Sequence, residues 1–384
     1  MRRIVTRTRL PAIALALALL LVSTAAKPAG AGRPTVVAIA AEEAQWIARA
    51  QVPPGLGPAS GAIARYPLSA DTPGFVSPYD GTMGAQGLLL GGPAYYPAVR
   101  AWIDWYLRNL NFPDHNGVDG TIYDVWVDTS GQQTVVIDPN TSMPSYDSTD
   151  AYAGVFLTLV QAYAERLPGE RIYLRSQRSR LDAVARAAIA TKHDTGLTGA
   201  RPDWWGEYLL DNIDTERGLS DYAWLLRNVL GDRTAARTWQ GEADLIRRAV
   251  EEHLWFADKD MYGWASDQPN PQWGTFYPDA VVQAWPIIFG YGPKNRRTAL
   301  WASINQAWPL WVTTRDNPGT PDAQPWATLG YAAAMMGRRD QTLAWLAGSQ
   351  QSWVEPGRPW PWTVNDSAWR ARTAALASRR GWLS

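Results

Sequence analysis

Hydrophobic residues recur along most of this chain at helical spacing, and the helices they predict are of two kinds. Over 150–163, Tyr152, Val155, Phe156, Leu159, Val160 and Tyr163 form one apolar face, yet Ala151, Ala153, Leu157 and Ala162 fill the other sides. Such a helix is buried all round. The next, over 171–192, sets Leu174, Leu181, Val184, Ala188 and Ile189 against Arg175, Arg178, Arg180, Asp182 and Arg186, so it must lie outside. The alternation repeats. GLSDYAWLLRNVLG (218–231) is almost wholly apolar, whereas 233–254 carries a single stripe of Ala235, Trp239, Ala243, Ile246, Val250 and Leu254. The apolar segments 279–290 and 326–337 are followed by the more mixed 294–311 and 338–348, and weaker patterns at 42–50, 80–91, 95–110 and 366–381 bring the total to twelve.

Six buried and six amphipathic helices in alternation predict an all-α fold: an (α/α)6 barrel of six helical hairpins, with the first helix closing against the last. Each predicted inner helix starts near an acid, namely Asp80, Asp147, Asp214, Asp279, Asp322 and Asp366. Inner-to-outer turns are short, as in LPGE (167–170) and GYGP (290–293). Outer-to-inner connections are long, at 111–146, 193–213, 257–276, 312–321 and 353–365, and in an antiparallel ring they share one face with the inner-helix N-termini. Long non-repetitive loops of this kind mark the functional face. One of them, over 119–138, carries TIYDVWVDTSGQQTVVID, whose alternation about Ser130-Gly131 predicts a small β-hairpin.

The start of the chain follows another pattern. Arg2, Arg3, Arg7 and Arg9 precede an apolar core at 12–22, and VSTAA ends in small residues suited to cleavage. This reads as a signal peptide over 1–26, then a linker over 27–41 and one toroid domain over 42–384, in a protein that is secreted or held in the periplasm or cell envelope. The apolar core is shorter than the roughly 20 residues that span a bilayer, so no membrane span is expected in the mature chain. Removing 1–26 takes four arginines from the 36 basic and 36 acidic residues, leaving a net charge of about −4. That charge gives no support to nucleic-acid binding. The chain has no Cys, and His115, His193 and His253 are scattered, so neither a metal nor another cofactor is expected.

Candidate chemistry concentrates in two segments. SYDSTDAYAG (145–154) places two aspartates three apart at the head of a buried helix, and LLDNIDTERGL (209–219) leads into the next. An acid at a helix start caps free N–H groups and suits the helix dipole. Six such starts at one mouth nevertheless accumulate like charge, which costs stability unless a site uses it. The architecture and these two motifs resemble the six-hairpin glycosidase superfamily over roughly residues 75–384. The resemblance implies a monomeric protein that hydrolyses a poly- or oligosaccharide, commonly with inversion, through one protonated carboxyl that donates to the leaving oxygen and one ionised carboxylate that activates water. Candidates for that pair are Asp150, Glu207, Asp211 and Asp214. With Asp147 as a cap, Asp150 lies one turn in and faces the mouth. Glu207 sits in a Trp-rich loop loosely similar to the Trp-Glu stretch that carries the proton donor in some six-hairpin glucosidases, with Gly206 as an extra residue. Tyr146, Asp147, Trp204, Trp205, Asp279, Trp362 and Asp366 are expected to bind substrate.

The 22 tryptophans divide in the same way. Trp224, Trp239, Trp285, Trp301 and Trp308 fall at helical spacing and read as core. Trp204, Trp205, Trp264, Trp273, Trp353, Trp360 and Trp362 fall in connections, where they either stack on pyranose faces or plug the end of the barrel. Three alternatives survive: a glycan-binding protein without catalysis, a component of polysaccharide export, and a polysaccharide lyase using Tyr146, Tyr152, Tyr208 or Tyr277 as base.

Overall fold

A computed structural model describes residues 36–313 and 324–383. The proposed signal peptide, most of the linker and Asp322 lie outside the described residues. Helix α1 (Val36–Ala48) begins inside the stretch read as a tether, and is followed by β1 (Gly74–Val76), α2 (Pro78–Leu90) and α3 (Tyr96–Arg108). Next come β2 (Val125–Val127), β3 (Gln133–Val135) and α4 (Asp150–Arg166), then α5 (Arg171–Ser176) and α6 (Arg178–Ala187). The chain continues through α7 (Leu209–Leu225), α8 (Arg233–His253), β4 (Trp255–Phe256) and β5 (Met261–Tyr262). It ends with α9 (Ala284–Phe289), α10 (Lys294–Ala307), α11 (Thr328–Met335), α12 (Arg339–Ser349) and α13 (Val364–Arg379).

Helices α2, α4, α7, α9, α11 and α13 touch in that order, and α13 returns to α2 to close a ring. Around it, α3 packs on α2, α6 on α4, α8 on α7, α10 on α9 and α12 on α11, while α1 occupies the sixth outer place against α13 and α2. This is the all-α (α/α)6 toroid that the alternating pattern predicts. No described helix is long and apolar enough to cross a membrane.

The departures from expectation are local. The outer helix expected over 171–192 is broken at Gln177 into α5 and α6. The fourth inner element is a wide turn, Phe276–Ala280, with Tyr277 extended inside it, leading into the short α9. The third begins at Leu209, ahead of the expected Asp214, and relaxes into a π turn over Leu226–Leu230. The hairpin forms as β2 and β3, and β1 pairs with β2 to complete a three-stranded antiparallel sheet.

Two features of the packing position the site. At the α4–α7 contact, a Cβ on Gly154 would lie 2.5 Å from the Asp214 carbonyl oxygen, and one on Gly218 would lie 2.3 Å from the Gly154 carbonyl oxygen. Only glycine lets these backbones touch, so the helices that carry the two acidic motifs are fixed side by side. At the seam, the fully buried Glu43 of α1 accepts hydrogen bonds from Arg358, 3.0 and 3.2 Å away, and from Arg370 of α13. That buried ion cluster ties the first helix to the last.

Candidate active site

The starts of all six inner helices line one cavity of about 610 Å3. Tyr79 comes from the first turn of α2, Asp147 and Tyr152 from the entry to α4, and Tyr208 and Asp211 from the start of α7. Tyr277 and Trp285 come from the fourth element, Trp326 precedes α11, and Asn365 lies in the first turn of α13. The inner helices thus point their N-terminal ends into the same space. Their partial positive charges offset part of the acid accumulation there.

Two carboxylates line the cavity without a hydrogen bond or ion pair to any described residue: Asp147 and Asp211. Asp147 is exposed to the cavity. Burial by the surrounding wall and the nearby Asp80 raise its pKa, while Arg65 and Arg201 pull it back. Asp211 is half-buried, and its pKa is raised well above its ordinary value by burial and then by the charges of Asp150, Asp147 and Asp214. Both acids are raised, Asp211 the further, and the charges of Arg65 and Arg201 hold Asp147 the lower of the two. That is the asymmetry an acid–base pair requires.

Asp150 does not face the mouth as expected. It is fully buried, with one carboxylate oxygen accepting from Ser148 Oγ and the Ala151 amide at 2.7 and 2.8 Å and the other from Thr198 Oγ1 at 2.6 Å. Burial raises its pKa to about 6 against those bonds. The N-cap of α4 is Thr149, whose side chain makes no cap bond; Ser148 and Asp150 on either side of it both accept from the Ala151 amide, and Asp147, which was read as the cap, lies before the helix and on the cavity. Asn212 holds the same loop through Thr198, accepting from its amide at 2.8 Å and donating to its carbonyl at 2.9 Å.

Glu207 is likewise a clamp. Burial would raise its pKa, but hydrogen bonds from Ser266, Thr195 and His193 outweigh that and lower it. The His193 and Thr195 contacts are both 2.7 Å, and Glu207 lies off the cavity. Asp214 sits one turn below Asp211, accepts from the Tyr79 hydroxyl at 2.9 Å, and is pushed by burial to a pKa of about 7. Asp279 accepts the Gln272 amide at 3.0 Å, and Tyr146 donates to Asp114 at 2.8 Å. Trp362 is core, its indole N–H donating to Ser367, and Trp205 packs on His193. Of the residues chosen from sequence for the carboxyl pair and for substrate binding, Asp147, Trp204 and Asp211 meet in the main cavity, and Asp366 lines a smaller one beside it; the loop tryptophan Trp264 and the candidate bases Tyr152, Tyr208 and Tyr277 line the main cavity too.

Aromatic walls complete the cavity. Tyr208 stacks on Trp264 with centroids 5.8 Å apart, Tyr277 stacks on Trp326 at 4.5 Å, and Trp204 donates to the Tyr208 hydroxyl at 2.7 Å. Trp353 and Trp362 plug the fold instead, whereas Trp285, read as core, also lines the cavity. Sequence reasoning did not select Arg65, Tyr79, Arg201, Trp326 or Asn365. A signal for Tyr79 was present, because Tyr79-Asp80 repeats the Tyr146-Asp147 pair at the preceding inner helix. Among the described residues, no cluster of His, Cys, Asp or Glu is placed to hold a metal ion.

No protein-family model matches the chain, and no curated protein matches it by sequence. Solved structures do match. A structure described as "Glycosidase Wild Type" aligns with a TM-score of 0.63 over 91% of this chain and 98% of its own, at 15% identity. The fold is of the glycosidase type. A rhamnosidase from Klebsiella oxytoca with rhamnose bound aligns at TM-score 0.52 and 12% identity, over 78% of this chain and 57% of its own. A protein from Thermus thermophilus described as uncharacterized aligns at 0.58 and 13% identity, over 89% of this chain and all of its own.

Proposed function

We propose that this chain is a glycoside hydrolase in which Asp147 and Asp211 are the working carboxyl pair, acting outside the cytoplasm after removal of residues 1–26. The observation that carries this reading is the placement of two carboxyl groups without protein partners on one aromatic-walled cavity. Asp211, kept protonated by burial and neighbouring charge, donates its proton to the glycosidic oxygen as the bond to the anomeric carbon breaks. Asp147 takes a proton from a water whose oxygen bonds to that carbon from the opposite face. The products are a hemiacetal and the freed alcohol of the leaving sugar, with the anomeric configuration inverted. The extended aromatic faces suit the C–H faces of pyranose rings. A lyase would need an ionised tyrosine, and burial raises the pKa of Tyr146, Tyr152 and Tyr277, which leaves Tyr208 as the base that reading would use.

The test is incubation of the purified mature protein with a panel of poly- and oligosaccharides, read by new reducing ends and by absorbance of unsaturated products. Reducing ends without unsaturation, abolished in Asp211→Asn, support hydrolysis. Unsaturated products would indicate a lyase, and binding without products would indicate a glycan-binding protein.

A further inference from the structure

Beside the main cavity lies a second one of about 240 Å3, walled in common with it by Trp285, Trp326 and Asn365. Pockets for drug-sized ligands run from about 300 to 1,000 Å3, so this space suits one pyranose ring and is too small for two. Its wall is unusual in its unmade hydrogen bonds. Thr328 Oγ1, Trp326 Nε1 and Asn365 Oδ1 are buried atoms without a partner, and Thr328 as a residue is only 4% exposed. The Tyr66 hydroxyl is also without a partner, and its ring lies behind the wall against Trp360, with centroids 5.9 Å apart.

Each such atom costs stability when nothing meets it, so a chain that only had to fold would scatter or pair them. Here residues of one wall carry a mixed set: an indole donor, an amide acceptor and a hydroxyl that can do either. A ring bearing several hydroxyl groups answers that set. Trp360 and Trp369 add apolar surface to the same wall. The charges present are Asp80, Asp366 and Arg65, and the guanidinium is already bonded to Asp80. An acidic guest would therefore meet a carboxyl without a free cation to balance it.

The geometry points to the 240 Å3 cavity as a subsite for one uncharged pyranose, which makes the substrate a glycan with a neutral sugar next to the cleaved bond. This rests on the hydrolase reading for the position of the bond, but sugar binding can be measured without it. The probes are glucose, galactose, mannose and rhamnose against glucuronate, added to the mature protein and followed by saturation-transfer NMR and by tryptophan fluorescence. Thr328→Val and Asn365→Ala remove two of the unpartnered atoms, and thermal melting checks that both variants fold.

Saturable binding of at least one neutral sugar, weakened tenfold or more in both variants and at least tenfold stronger than glucuronate, supports the subsite. The inference is overturned if no neutral sugar binds, if folded variants bind as the parent does, or if glucuronate binds equally well. Repeating the titration on Asp211→Asn separates the two proposals. Binding retained in a protein whose parent releases no reducing ends would leave the subsite standing and remove the hydrolase. Turnover by the parent without any monosaccharide binding would do the reverse.

Discussion

Glu43 and Asp211 both carry acidic side chains into the body of the toroid, and the fold treats them in opposite ways. Around Glu43 two arginines converge, and Arg370 is further held by Gln350 at 2.5 Å and Ser349 at 3.2 Å. Around Asp211 there are further aspartates and no bonded donor. A buried charge with good partners can hold a seam together, whereas buried like charges oppose folding. The seam spends its acid on closure of the ring, and the mouth tolerates strain of a kind that only chemistry would reward.

The largest expected effect follows from that difference. Asp211→Asn and Asp147→Asn should each lower turnover of a confirmed glycan by about 10²- to 10⁴-fold, the usual contribution of a general acid or base. Asp211→Asn should also leave the melting temperature nearly unchanged, because a neutral amide of the same shape replaces a carboxyl that has no bonded protein partner. Unfolding of Asp211→Asn would place that residue with Glu43, as a structural acid. Glu43→Ala should instead cost about 3–5 kcal/mol of stability in chemical denaturation, the range for removing one partner of a buried pair. Its turnover per folded molecule should match the parent's.

Protonation sharpens the comparison. Burial raises Asp214 and Asp366 to about 7, above the carboxylate range near 4 of an unfolded chain. The folded state then binds these protons more tightly, so the stability they contribute is fully present below about pH 4 and is lost as the pH rises through about 7. Melting temperature measured from pH 4 to 8 should fall less steeply in Asp214→Asn than in the parent, by up to about 1.4 kcal/mol per unit of pKa difference removed. An unchanged slope would mean that Asp214 ionises as it does in water.

The approach of α4 to α7 supports the mouth in another way. Gly154→Ala would force a methyl against the Asp214 carbonyl and should cost about 1–3 kcal/mol, as overpacking does. Turnover should fall with it, because the two helices carry the Asp147 and Asp211 segments. Full activity together with full stability would show that the contact yields freely.

The ring of hairpins was legible because burial on all sides and burial on one face leave different patterns over a dozen or more residues. Assignment within the site was not, because it turns on single residues. Moving the start of α7 from near Asp214 to Leu209 puts Asp211 on the cavity and Asp214 a turn below it. In SYDSTDAYAG, Asp150 turns into the protein and not toward the mouth because Thr198, a loop residue 48 positions on, reaches its carboxylate. No local pattern records such a partner. The small cavity depends on Arg65, Trp326 and Asn365, which converge from three parts of the chain.

The smallest effect is expected at Asp150, and it distinguishes a clamp from a catalytic acid. Asn at this position keeps one oxygen acceptor and places an amide where a carboxylate oxygen received a hydroxyl. The Thr198 hydroxyl already lies 3.2 Å from Asn212 Oδ1 and can turn its proton there, so the lost bond is partly replaced. Asp150→Asn should then cost about 1–2 kcal/mol, close to the value of a buried hydrogen bond to a charged group, and should keep turnover within tenfold of the parent. Thr198→Val should cause a similar loss of stability, and the double variant less than the sum, because both remove the same bond. A loss of turnover in Asp150→Asn as deep as that in Asp147→Asn, with the fold intact, would return the catalytic role to Asp150 and leave Asp147 as the residue that only lines the cavity.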